Sequence, residues 1–407
     1  MEEKAHKKII KILIFLLLIK SFIIFQKYTQ ENNLILSKNH IIVRPFGELL
    51  NSYIKNNTIL ILEMKNCHHE CIPGFMKYLF DLGYNIDILV HESGFDAVSW
   101  FPENKNIRLF IFHKISQILL NIKNVISIIK KYKFVLLQST DKKSLELYKK
   151  LELLKLNNII FVFHELGYAD INYSKYFNQN RIWTLGNFSK GLQVNPFYFG
   201  DIKLKDKNNK TKFFVTSTIK RNYTNLIKSA QRLKNEKFNF EIIVIGRNKV
   251  FNISSVPKDI KDIFIFKGQV TYSKLYEIIE NSDYIIITLT PESKYDNLFR
   301  KTRVTGSAQL SYGFLKPCII DREFAYFYNF DDKNSLIYND LNLYNAMKKA
   351  ILLNNNEYNN LRNNILLITK KIYSISIMNI QKLIPEIKHY NFSNAPPNLL
   401  ENHPLIY

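Results

Sequence analysis

Apolar residues in this chain come in short runs broken by polar turns, and the runs switch between two periods. Thr58–Leu62 is a continuous apolar run of strand length, and Pro73 to Leu82 repeats its apolar residues at helical spacing. Gly83 stops that helix, and Asn85–Val90 starts the next strand. Further strands are predicted at Ile107–Phe112, Phe134–Leu137, Ile159–Phe163 and Ile182–Leu185, with helices over Ile115–Lys131 and Lys142–Leu154 between them. The alternation breaks at Asn195-Pro196, before a lysine- and asparagine-rich stretch from Asp201 to Lys210 that has the composition of a linker. It then restarts: strands at Phe213–Val215, Glu241–Ile245, Ile263–Phe266, Tyr284–Leu289, Cys318–Ile320 and Ser335–Tyr338, helices over Thr224–Asn235 and Ser273–Glu280, and helical spacing again from Leu343. Strands that alternate with helices predict parallel sheets covered on both faces. The fold class is therefore α/β, as two Rossmann-like doubly wound domains facing a central cleft.

The predicted units are a hydrophobic and basic N-terminal helix (1–30), a first domain (50–195), a second domain (196–370), and a C-terminal helix with an extended tail (371–407). Ile9 to Phe25 is apolar except for Lys11, Lys20 and Ser21, and it follows Lys4, Lys7 and Lys8. Basic flanks on a short apolar body fit a helix lying in an anionic membrane surface. A spanning anchor is the second reading, because Lys20 can snorkel. Membrane association, with the two domains in the cytoplasm, is the expected location.

The 407 residues carry a net charge of +22, which favours anionic partners. Nucleic acid is not the expected one, since the lysines are dispersed and no aromatic-basic recognition module stands out. Three cysteines do not make a disulfide framework. No Gly-x-Gly-x-x-Gly follows a strand and no Gly-Lys-Ser/Thr loop occurs, which argues against dinucleotide oxidoreductases and P-loop ATPases. A Gly-x-Ser-x-Gly elbow is absent too.

Candidate chemistry lies at strand carboxyl ends, where this architecture binds ligands. The first group is the loop Glu63 to Gly74, with His69, Glu70, Pro73 and Gly74 as the binding candidates. Its Cys67, His68, His69, Glu70, Cys71 cluster has no second ligand pair elsewhere, so no metal and no cofactor are expected. The second is His164, directly after an apolar strand. The third is Ser217, Lys220 and Arg221 before a helix, where guanidinium suits phosphate oxygens. The fourth is Lys301, Arg303, Gly306, Ser307 and Gln309, where cations meet a small-residue helix start that offers free amides.

Together, Ser217–Arg221 before Leu226-Ile227, Ile242–Gly246, Gly268 before a helix, Ser282-Asp283-Tyr284 and Gly313–Ile320 with Lys316-Pro317 resemble the donor-binding domain of GT-B glycosyltransferases. The likeness is to those of family 4 (glycosyl transferases group 1). Pro73-Gly74, Leu82–Asp87, His164 and Asn195-Pro196 extend it through roughly residues 57 to 350. The resemblance implies a GT-B fold and transfer of a sugar from a nucleotide diphosphate to a hydroxyl of a glycan or lipid-linked glycan, in cell-surface polysaccharide synthesis. It also implies retention of anomeric configuration without a metal, with Lys220 and Arg221 on the diphosphate and His164 beside the sugar. The family's two glutamates would fall near Thr302 and Leu310, and no acid stands there. A nucleotide-sugar epimerase, and an inactive glycan- or membrane-binding protein on the same scaffold, are the alternative readings.

Overall fold

The computed structural model describes residues 41–65, 67–98, 104–165, 181–187, 191–197, 200, 202, 204–217, 221–247, 249–293, 296–339 and 342–383. The N-terminal segment 1–30, Lys220 and the tail beyond 383 lie outside them. Two parallel sheets carry the chain. The first has eight strands in the order β1-β4-β3-β2-β5-β6-β7-β8: β1 Val43–Pro45, β2 Thr58–Glu63, β3 Asn85–His91, β4 Ile107–Phe112, β5 Phe134–Thr140, β6 Ile159–Phe163, β7 Ile182–Thr184 and β8 Leu192-Gln193. The second has six in the order β11-β10-β9-β12-β13-β14: β9 Thr211–Ser217, β10 Phe240–Gly246, β11 Phe264–Gly268, β12 Tyr284–Ile287, β13 Cys318–Asp321 and β14 Leu336–Tyr338. Helices of eight residues or more are α1 Ile72–Asp81, α2 Ile122–Ile129, α3 Lys142–Lys150, α4 Thr224–Asn235, α5 Tyr272–Glu280, α6 Gly306–Phe314, α7 Leu343–Leu352 and α8 Asn355–Leu383.

Central strands β2 and β6 are buried at every position, as a sheet covered on both faces requires. One apolar cluster is continuous from the first sheet to the second: Ile61, Phe75, Trp183 and Phe197 share it with Ile287, Phe314 and Tyr373. Separate clusters fill the outer face of each sheet.

The predicted single helix over Ile115–Lys131 is two helices, Ile115–Leu120 and α2. Asn121 breaks it with φ −108° and ψ 20°, and its side-chain amide donates to the Gln117 carbonyl at 2.9 Å. An asparagine that serves the backbone in this way competes with the helical ladder.

Two features set how the sheets face each other. The crossing at Asn195-Pro196 is buried and held on all sides. The Asn195 carbonyl accepts from the Tyr78 hydroxyl at 2.6 Å, its amide donates to Ser376 Oγ at 3.1 Å, and Gln309 Nε2 donates to Asn195 Oδ1 at 3.0 Å and to the Pro196 carbonyl at 2.7 Å. Helix α8, roughly 43 Å long at 1.5 Å per residue, then ties one sheet to the other. Its first half packs on the second, where Tyr358 donates to the Asp283 carbonyl at 2.9 Å. Its second half returns to the first, where Tyr373 donates to Asp81 and Asn379 to the Gln193 carbonyl at 2.8 Å.

Candidate functional site

Strand order reverses between β2 and β5 in the first sheet and between β9 and β12 in the second. Ligands of open parallel sheets bind outside the carboxyl ends at such points. Here the two points face one another across a cavity of about 720 Å³. Its first wall carries His68, Glu70, Ser139, Asp141 and His164, and its second wall carries Thr216, Arg221, Arg303, Gly306 and Ser307.

The second wall is cationic. Arg221 follows β9 with its side chain only 7% exposed, 4.0 Å from the Asp296 carboxylate. Its guanidinium carbon lies 5.1 Å from the Phe299 ring centre, and that of Arg303 lies 5.9 Å from the same ring. The two guanidiniums thus flank one buried phenyl group and both line the cavity. Arg303 also pairs with Glu165 at the end of β6, where the two residues form an isolated backbone bridge between the lobes. Helix α6 begins at Gly306 with no side-chain cap from Thr305, and its first two residues, Gly306 and Ser307, line the cavity at the helix end whose amides lack intrahelical acceptors. Ser307 Oγ lies 2.9 Å from Thr216 Oγ1 across the switch point.

The first wall is built of imidazoles and carboxylates. His164 Nε2 bonds the Gln138 carbonyl at 3.1 Å, and its ring stacks on His68 with centroids 4.0 Å apart. Burial pushes its pKa well below the ordinary value, helped by the neighbouring His68 charge. It is a neutral imidazole at physiological pH. Burial also works against a charge on His68, but the Glu70 carboxylate, 3.4 Å from Nδ1, outweighs it and raises the pKa. Burial likewise opposes ionisation of Glu70, yet His68 holds its pKa down at about 2. Beneath them, burial lifts the Glu63 carboxyl to about 7, although Ser139 Oγ and the Lys65 amide both donate to it.

Several candidates read from the sequence lie off the cavity, for identifiable reasons. His69 is buried behind the wall, with Nε2 bonded to the Lys65 carbonyl at 3.0 Å and its ring against Gly94. Pro73 and Gly74 are buried in α1, and Gly74 admits protein rather than a ligand: a Cβ there would meet Pro196 Cβ at 2.6 Å. Ser217 is buried against Gly246, because successive side chains of β9 point to opposite faces and Thr216 takes the cavity side. Lys301 is exposed to solvent, away from the lining. Gln309 reaches the cavity but spends its amide on the crossing segment. Cys71 and His69 turn inward while Cys67 is exposed, so the Cys-His cluster disperses. The lining also includes Glu165, Tyr272 and Phe299, which no sequence pattern singled out, and His68, which the sequence offered only within the Cys-His cluster.

No family model and no curated protein matches this chain. Solved structures do. The chain is similar to a glycosyltransferase from Rickettsia africae ESF-5, at 15% identity over 86% of this chain and 100% of that one, with a TM-score of 0.51. It is equally similar to Anabaena Alr3699/HepE, solved in complex with UDP and glucose, at 11% identity over 81% of this chain and 100% of that one, TM-score 0.51. The fold is GT-B. In GT-B terms, the first sheet forms the N-terminal lobe and the second the C-terminal lobe. No helix among the described residues is long and apolar enough to cross a membrane.

Proposed function

We propose that this chain is a glycosyltransferase, moving a sugar from a nucleoside diphosphate donor to a hydroxyl of a glycan or lipid-linked glycan. The observation that carries the reading is the pair of guanidiniums, Arg221 and Arg303, set around Phe299 beside the open start of α6. Breaking an anomeric bond leaves growing negative charge on a diphosphate. Fixed cations and amides aimed at that charge in a closed cleft supply the electrostatic stabilisation that usually dominates such catalysis. With two buried-wall cations at hand, the reaction is proposed to run without a metal. His164, neutral and donating Nε2–H to the Gln138 carbonyl, accepts one hydrogen bond from a sugar hydroxyl through Nδ1. The UDP and glucose bound in the similar Anabaena protein support a nucleotide-sugar donor here.

The setting is proposed to be cell-surface polysaccharide synthesis on the cytoplasmic face of an anionic membrane, attached through residues 1–30. The net charge of +22 supports that partner. The division into units at 195/196 is proposed on the crossing at Asn195-Pro196.

The test is binding and turnover with chelator present. UDP, GDP and dTDP are screened by thermal shift, and one of them raises the melting temperature because it binds only the native state. Arg221→Ala is expected to weaken that nucleotide at least about tenfold and to lower transfer or donor hydrolysis about a thousandfold, the scale of one lost oxyanion-type donor. No shift with any nucleoside diphosphate, or an unaffected Arg221→Ala, refutes the reading.

A further inference from the structure

The segment after β13 sends most of its aromatic residues inward and leaves two out. Phe324, Tyr328 and Phe330 are buried, whereas Tyr326 is 84% exposed and Phe327 48%. The pair is held in place. Tyr328 donates its hydroxyl to the Phe299 carbonyl at 3.0 Å and accepts from the Thr305 amide at 3.3 Å, while its own carbonyl accepts from the Tyr312 hydroxyl at 2.5 Å. The Asn329 amide donates to the Tyr326 carbonyl and the Phe330 amide to that of Ala325, which closes the turn. The two exposed rings meet edge to face, 5.9 Å apart at 83°. Lone exposed aromatics are ordinary, but an adjacent pair fixed in this way marks a contact surface.

An asparagine-lined pocket adjoins the pair. Arg322 and Tyr326 stand four residues apart on one helical stretch and so share a face. Arg322 Nε donates to Asn339 Oδ1 at 2.7 Å. Asn339, just past β14, opens a cavity of about 610 Å³ whose other wall is Asn342, Asn345, Ala346 and Lys349. Those four recur at helical spacing from the N-cap of α7, so one stripe of that helix forms the wall. Among the described residues, none bonds Asn339 Nδ2 or the side-chain amides of Asn342 and Asn345. Pair and pocket lie at the carboxyl edge of the second sheet, as the cleft does. β14 is two strands along from β12, roughly 10 Å in a sheet with strands about 4.8 Å apart.

We propose that this edge is a second glycan-binding surface, which holds the acceptor chain beyond the residue that receives the sugar. That role rests on the glycosyltransferase reading above. The chemistry matches a neutral polyhydroxyl ligand. An asparagine amide sets a donor beside an acceptor, which suits two neighbouring hydroxyls of a pyranose. An aromatic face, negative at its centre, takes the C–H side of the same ring. The surrounding charges are engaged with one another: Arg300 pairs with Glu323, and Arg322 with Asp332 at 3.7 Å. Among the described residues, Lys349 is the one cation on the pocket lining. An anionic membrane would be met by a cluster of unpaired cations instead.

The full chain is titrated with hexasaccharides of glucose, mannose, galactose and N-acetylglucosamine, with binding read by saturation-transfer NMR. At least one is expected to bind. The double variant Tyr326→Ala, Phe327→Ala is expected to weaken it about tenfold or more, the scale of a removed aromatic anchor. Asn345→Ala is expected to lose about fivefold, the net effect of one hydrogen bond. Affinity for UDP, GDP or dTDP, read by calorimetry, is expected to stay within about twofold of the parent in both. Should the double variant fail to fold, Tyr326→Ala, which changes a side chain already in solvent, gives the same readout. No binding by any hexasaccharide, or equal binding by parent and variants, overturns the surface alone where nucleotide binding is intact. Two other losses in the double variant also overturn it. Lost co-sedimentation with phosphatidylglycerol vesicles makes the pair a membrane contact, and a lost concentration-dependent dimer in light scattering makes it a self-association surface. Glycan binding that the variants weaken, in a chain that binds no nucleoside diphosphate, sustains the surface and removes its acceptor role together with the transferase reading.

Discussion

The two walls of the cleft occupy equivalent places in two similar parallel sheets, yet they are made of different chemistry. At the β9/β12 switch point the wall presents Arg221, Arg303 and helix amides. At the β2/β5 switch point it presents His68, Glu70 and His164, supported by a buried Glu63 whose carboxyl sits near neutrality. One architecture has thus been given a fixed positive side and a titratable, nearly neutral side. That division suits a reaction whose leaving group gains negative charge while its nucleophile loses a proton. It also shows why the overall charge of +22 is a poor guide to the site, since only a few of those cations face the cleft.

The comparison is broken most severely by changing the distance between the walls. Gly74 lets α1 approach the crossing so closely that an added Cβ would meet Pro196 Cβ at 2.6 Å and the Phe197 nitrogen at 2.7 Å. Part of that contact is backbone, which has little freedom to retreat. Gly74→Val is expected to cost about 3 kcal/mol of stability, read as a lower midpoint in urea denaturation. An unchanged midpoint means that the lobes are not held at a fixed spacing by this contact.

Removing the titratable support of the first wall is next in size. Burial raises Glu63 from its ordinary 4.5 to about 7. Between those values the folded chain holds a proton that the unfolded chain has released. Stability therefore falls as pH rises through that window and levels above it. Glu63→Gln mimics the protonated carboxyl, can accept from the Lys65 amide and can donate to Ser139. At pH 8.5 it is expected to stabilise the chain by about 2 kcal/mol, a discounted reading of 1.36 kcal/mol per pKa unit, and at pH 4 to do almost nothing. Melting curves of both proteins at the two pH values decide it, and a pH-independent difference removes the buried-carboxyl account.

Much of the fold was legible because buried parallel strands are continuous apolar runs. Ile107–Phe112 and Ile159–Phe163 have the predicted ends, and α4 runs over the predicted Thr224–Asn235. Elements that lack a run of their own were lost. β1 is three residues and β8 two, each held by its neighbour rather than by its own pattern. The site was legible only as far as the ends of strands. Arg221, Arg303 and His164 follow strands or precede a helix, and the structure brings them to one cavity. Within the Cys67–Cys71 loop no periodicity says which histidine points out. The left-handed turn at His68 reverses the phase there, sending His69 inward and His68 outward. Glu165 and Tyr272 acquire their meaning from the other lobe, across 138 and 202 residues of chain, and no local pattern carries such a partner.

The smallest expected effect sharpens the cationic side of the comparison. Lys301 and Arg303 stand two residues apart before α6, and the sequence offers both as phosphate contacts. Their surroundings differ: Lys301 projects into solvent off the cavity, where salt screens it and no wall fixes its direction. Arg303 is held over Phe299 and against Glu165 on the cavity lining. A charge contributes to binding a diphosphate through proximity and preorganisation, not through its count in the sequence. Lys301→Ala is therefore expected to change nucleoside diphosphate affinity by less than about 0.5 kcal/mol, the usual range of a surface charge. Arg303→Ala is expected to weaken it by about 1.4 kcal/mol, a factor of ten. Titration calorimetry at two salt concentrations separates the cases, because the small effect of Lys301 should vanish at high salt while that of Arg303 persists. Equal losses from the two substitutions would mean that diffuse surface charge, rather than a structured wall, draws the anion into the cleft.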